Sequence, residues 1–118
     1  MDKVKRDISI LKTIIRHCEG IERTHTLFNN EIDDFDFENP YFKAISMDLL
    51  QIGELANHLS KEFQKKYKDI PYAVIIALRN IVVHGYGSLN NQRVWNTSHD
   101  DIPILRNRCL EILGELEN

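Results

Sequence analysis

Arg79 and His84 stand five residues apart where an apolar run closes, in Arg79-Asn80-Ile81-Val82-Val83-His84-Gly85-Tyr86-Gly87. Arginine offers a permanently charged fork of donors that matches phosphate oxygens. Histidine takes or gives a proton near neutral pH, and a place at a helix C-terminus favours its cationic form. Together they suit metal-free phosphodiester cleavage, in which a base activates a ribose 2′-OH while the guanidinium steadies charge on the equatorial oxygens. Such a reaction needs RNA, because DNA has no 2′-OH to attack. It leaves a 2′,3′-cyclic phosphate and a free 5′-hydroxyl. The same two residues also fit a plainer role as a salt bridge and a helix cap, with Asn80 a helix-flanking hydrogen-bonding residue. Spacing alone does not choose.

At about 100° per residue, five positions amount to about 140° beyond one full turn, so Arg79 and His84 do not stack on each other. The guanidinium must reach round its helix, or both groups must face a cleft shared with another helix or subunit. Tyr86, seven positions after Arg79, returns to nearly the same face if the helical path persists. One histidine does not easily serve as both base and acid. A two-fold dimer would place two copies of the motif across one cleft.

The elements that position these residues read as helices. Val4, Ile8, Leu11, Ile15 and Cys18 form an amphipathic stripe that Gly20 is expected to interrupt, with a shorter helix around 21–28. Cys18 reads as a small buried apolar side chain. The acidic segment 31–38 lacks the glycine and closing glutamate of a calcium loop and reads as a solvated connection pinned by Phe35 and Phe37. Asn39-Pro40 starts a long helix with Phe42, Ile45, Leu49, Ile52, Ala56 and Leu59 on its buried stripe. Glu54 and His58 lie four apart and read as a hydrogen-bonded pair.

Lys61, Lys65, Lys66 and Lys68, interleaved with Phe63 and Tyr67, read equally as a phosphate-tracking wall or a solvated helix end. Asp69 and Pro71 announce a helix that turns Val74, Leu78, Ile81 and Val82 inward. A polar stretch from Ser88 to His99 follows, anchored by Trp95. Asp100, Asp101 and Pro103 then start a last helix with the stripe Leu105, Cys109, Ile112 and Leu116. No stretch alternates at period two long enough to demand a strand. The expected architecture is all-α, an up-and-down bundle of four or five helices.

The 118 residues suit one domain spanning 1–118. With 15 Lys+Arg against 18 Asp+Glu the net charge is −3, which excludes a broadly basic nucleic-acid coat; contact with an anion must come from a local cluster. The longest apolar run, Ala73 to Leu78, is far short of the ~20 residues of a membrane span. The N-terminus does not resemble a secretory signal, and two distant cysteines suggest no disulfide framework. A cytoplasmic protein without a metal ligand cluster or cofactor is expected.

Arg79-x4-His84-x-Tyr86 resembles the signature of the HepT-like branch of the HEPN superfamily, toxins of toxin–antitoxin pairs whose antitoxin is a minimal nucleotidyltransferase. Gln51-Ile52-Gly53-Glu54-Leu55-Ala56 looks like the family's long-helix segment, and the Pro71 helix start and Val94-Trp95 fall in similar order. The resemblance covers about residues 4–116. Relatives often carry tryptophan after the proline of the motif helix, where Tyr72 stands here and keeps an aromatic anchor.

The resemblance implies a dimeric helical bundle with the motifs lining the dimer cleft, and a metal-independent endoribonuclease acting on RNA, with no DNA substrate and no membrane partner. Arg79 and His84 would be its catalytic pair, and Asn80 would orient the motif or contact RNA. Tyr86 would be the residue that the nucleotidyltransferase antitoxin modifies with AMP. The added charge and bulk would repel RNA phosphate. The alternative is a non-catalytic subunit that holds a nucleotide or substrate for a nucleotidyltransferase.

Overall fold

The computed structural model describes residues 2–36, 38–84 and 88–118, with side chains described throughout these except over 80–90. Helix α1 spans Lys3–Leu27, α2 Pro40–Asn57, α3 Lys61–Lys66, α4 Tyr72–His84, α5 Ser88–Asn96 and α6 Ile102–Glu117. A 3₁₀ turn covers Ile32–Asp34 and a π-helical turn Thr97–Asp101. No strand occurs among the described residues, as the three- and four-residue periodicity predicts.

Asp2 starts α1 by accepting from the Val4 N–H at 2.9 Å, which satisfies one of the free donors of the first turn. The helix runs straight through Gly20, contrary to the expected break there, and continues for 25 residues. One glycine costs a helix only about 1 kcal/mol, and burial of Cys18 and Ile21 on either side holds the turn in place. At about 1.5 Å per residue α1 accounts for most of the molecule's 43 Å length. It stops where Asn29 and Asn30 adopt left-handed backbone, at φ 56° and 52°.

Helix α2 is the centre of the bundle, packed against α1 on one side and α4 on another. Asn39 caps it by accepting from Tyr41 N–H, and Pro40 fills the first turn without losing a donor. Its predicted stripe is buried throughout, from Phe42 to Ala56, with Leu59 just beyond the helix end. Each buried Leu or Ile there contributes roughly 1.5–3 kcal/mol. Phe35 is buried as the expected pin of the acidic connection. Phe37 lies outside the described residues.

Two expected inward residues face solvent: Val4 is 49% exposed and Val74 57%. On α4 Leu78 is buried as expected, and Ile75 takes the buried place expected for Val74. Ile81 and Val82 fall among the undescribed side chains. The polar stretch from Ser88 is helical, carrying Val94 inward. It passes into α6 through the π turn, where Ile102 N–H donates to Thr97 O and neither Asp100 nor Asp101 acts as a cap. The wide turn precedes Pro103, which has no N–H for the carbonyl four residues back and whose ring crowds it.

Cys18 and Cys109 are both free and buried in the core, as predicted for Cys18. Burial pushes the Cys109 thiol up to about 12 and the Cys18 thiol higher still, so both stay protonated. No described helix is long and apolar enough to cross a membrane.

Candidate active site

Gly53 sets the geometry of the α2–α4 crossing. A Cβ at this position would meet the Ile75 carbonyl oxygen at 3.1 Å, the Ile76 oxygen at 3.7 Å and Arg79 Cβ at 3.8 Å. Only glycine lets the two backbones approach so closely. The next residue, Glu54, is thereby brought to Arg79, whose Nη1 donates to Glu54 Oε1 at 2.5 Å.

The pair is not sealed in the fold: the two side chains are 45% and 38% exposed. The hydrogen bond from Arg79 holds the Glu54 carboxyl below the usual carboxylate range, desolvation opposes it, and the Arg79 and His58 charges add to the lowering. Glu54 occupies Nη1 alone. Nε and Nη2 have no partner among the described residues, which leaves part of the donor fork open to an oxyanion.

Helix α4 carries the backbone of both Arg79 and His84, with His84 its last residue, so the expected offset of about 140° applies. The side chains of Asn80 and His84 lie outside the described residues, as does Tyr86 entirely. The expected Glu54–His58 pair does not form as a hydrogen bond, because Arg79 takes the carboxylate. His58 caps α2 and lines a cleft of about 170 Å³ with Lys3, Arg6 and Ser60.

The lysine cluster resolves toward its plainer reading. Phe63 and Tyr67 are each only 4% exposed, so neither ring is free to stack on a base. Lys66 and Arg108 sit 5.5 and 5.7 Å from the Tyr67 ring centroid, and its hydroxyl donates to Glu115 at 3.0 Å. Tyr72 is likewise an anchor, donating to the Tyr67 carbonyl at 2.7 Å.

The sequence reading missed a buried polar cluster where α1, α2 and the π turn meet. Ser98 Oγ donates to the Trp95 carbonyl at 2.9 Å, so it accepts from His25 Nε2–H, also at 2.9 Å. His25 Nδ1 then accepts from the Tyr41 hydroxyl. The imidazole is therefore neutral and fully bonded, with the His99 ring 3.6 Å away, centroid to centroid. Burial and then the neighbouring His99 lower the His25 pKa to about 4. A histidine and a serine 73 residues apart leave no local signal of this pairing.

Residues 9–112 match the family described as ribonuclease HepT-like. The protein named "Putative RNase" of Caldanaerobacter subterraneus subsp. tengcongensis is 32% identical over 104 residues, 87% of this chain and 90% of the relative. Another of that name, from Methanocaldococcus jannaschii, is 28% identical over 96% of this chain and 97% of its own length. The "Probable ribonuclease HepT" of Thermococcus cleftensis is 27% identical over 83% of this chain and 87% of that protein. No solved structure matches the chain significantly. With the family match spanning nearly its whole length, the chain belongs to the ribonuclease HepT-like family, the branch of the HEPN superfamily that its Arg-x4-His motif resembles.

Proposed function

We propose that this protein is a metal-independent endoribonuclease in which Arg79 and His84 form the catalytic pair. The observation that supports this most is the Arg79 guanidinium, exposed and held at a helix crossing, with Nε and Nη2 unpartnered among the described residues. A guanidinium placed only to hold the fold together would gain little from so exposed a pair.

In the proposed reaction His84 takes the proton of a ribose 2′-OH, and the 2′ oxygen attacks the adjacent phosphorus. The bond from phosphorus to the 5′ oxygen breaks, and that oxygen takes a proton from the His84 of a second copy. Arg79 stabilises charge on the equatorial oxygens, and Asn80 orients the motif or contacts RNA. The two copies form a two-fold dimer with the motifs across one cleft.

The protein acts as the toxin of a toxin–antitoxin pair in the cytoplasm. A nucleotidyltransferase antitoxin silences it by transferring AMP to Tyr86, placing negative charge where RNA phosphate must enter. Expression of the chain alone arrests growth, and Arg79→Ala or His84→Ala relieves the arrest; toxicity that survives both substitutions refutes the catalytic assignment. Mass spectrometry of the complex with the antitoxin finds AMP on Tyr86. An unmodified Tyr86 in a fully neutralised complex refutes adenylylation as the mechanism.

A further inference from the structure

We infer that the groove between α1 and α2 lined by Arg16, His17, Arg23 and Asp48 is a second anion site, built to take the phosphate of a nucleotide or of an RNA strand. The groove is open to solvent and holds about 580 Å³. It lies apart from Arg79, and the inference does not depend on cleavage there.

Arg16, Gly20 and Arg23 follow one another at steps of four and three, on a single stripe of α1. Arg16 is steadied by donating from Nη2 to Thr13 Oγ1 at 3.1 Å. Neither Arg16 nor Arg23 forms a salt bridge among the described residues. The acid next to Arg23, Glu22, is committed to Arg106 through both carboxylate oxygens, at 2.6 and 2.5 Å. Two guanidinium forks, neither ion-paired among the described residues, therefore share one groove with the single carboxylate of Asp48.

Asp48 enters from α2 and engages His17 Nδ1 at 2.8 Å. That bond fixes the imidazole and leaves Nε2 as its free nitrogen. With Nδ1 held by Asp48, Nε2 is the ring nitrogen left to meet a phosphate oxygen between the arginines. Gly20 makes the room: a Cβ there would come within 3.2 Å of Asp48 Oδ2 and 3.6 Å of Arg23 Nη2. On a chain of net charge −3, this is the kind of local cationic cluster that anion binding requires.

The test follows the ¹⁵N resonances of the His17 ring in the full chain, titrated with inorganic phosphate, 5′-AMP, adenosine and a 2′-O-methyl RNA octamer that cannot be cleaved. Phosphate and AMP shift the ring saturably and adenosine does not. The double variant Arg16→Gln/Arg23→Gln, altering two exposed side chains that form no salt bridge among the described residues, keeps its circular dichroism and melting temperature but binds at least about tenfold more weakly. A shift with the octamer that the double variant loses assigns the site to RNA; a shift with AMP alone assigns it to free nucleotides. The inference is overturned if phosphate, AMP and octamer all fail to move His17 saturably, or if the double variant binds as the wild type does.

Discussion

Arg79 and Glu54, 25 residues apart in the chain, share a hydrogen bond of 2.5 Å beside the close approach of α2 and α4 at Gly53. So exposed a pair adds little to stability, but it restricts where the guanidinium can point. Glu54→Ala is expected to lower the RNA cleavage rate about tenfold through kcat rather than KM, with Glu54→Gln in between. The melting temperature stays essentially unchanged. Single-turnover kinetics beside a thermal melt check this, and a lowered melt with undiminished cleavage would make the pair purely structural.

Two glycines should respond oppositely to alanine. Gly53→Ala gains about 1 kcal/mol of helix preference but forces a methyl group against the Ile75 carbonyl, a backbone atom with little room to move. A net loss of about 1 kcal/mol is expected. Gly114 has nothing within 4 Å of its would-be Cβ, so Gly114→Ala should gain about 0.5 kcal/mol. Urea unfolding of the two variants measures both signs.

The helices were legible because their buried stripes repeat at three and four residues and because Asn39-Pro40 is both a cap and a start signal. Val74 was placed inward in error because α4 is apolar nearly all round; on such a helix the pattern cannot choose a face, and packing against α2 does. The helix from Ser88 was missed because its residues are polar and it draws its order from Val94 and the π turn rather than from a stripe. Arg79 and His84 stood out by type and spacing as groups suited to phosphate chemistry, while the plainer reading as salt bridge and cap fitted the same spacing. Glu54 was assigned to His58 because sequence shows neighbours four apart and conceals a partner across a helix crossing.

The His25 cluster predicts an acid-sensitive fold. In the unfolded chain His25 takes up a proton below about pH 6.5, whereas in the fold it stays neutral until about pH 4. Stability contributed by the neutral ring is thus fully present above pH 6.5 and is lost as pH falls toward 4, by on the order of 3 kcal/mol. Denaturant midpoints across this window should fall more steeply for the wild type than for His25→Gln. Equal slopes would show that His25 titrates alike in both states.

Cleavage by the proposed route uses the ribose hydroxyl and no metal. EDTA is expected to leave the rate unchanged, and a 2′-deoxy sugar at the cleaved position to abolish the product. A 2′,3′-cyclic phosphate end, read by mass spectrometry, completes the expected result. Loss of activity in EDTA that returns with added metal would contradict the mechanism.

The most direct test compares single-turnover cleavage of single-stranded RNA by the wild type and by Arg79→Ala, with a thermal melt of each. The account predicts that the variant cleaves at least about a hundredfold more slowly while melting within a few degrees of the wild type. Undiminished cleavage by Arg79→Ala, or no cleavage by the wild type, would contradict it.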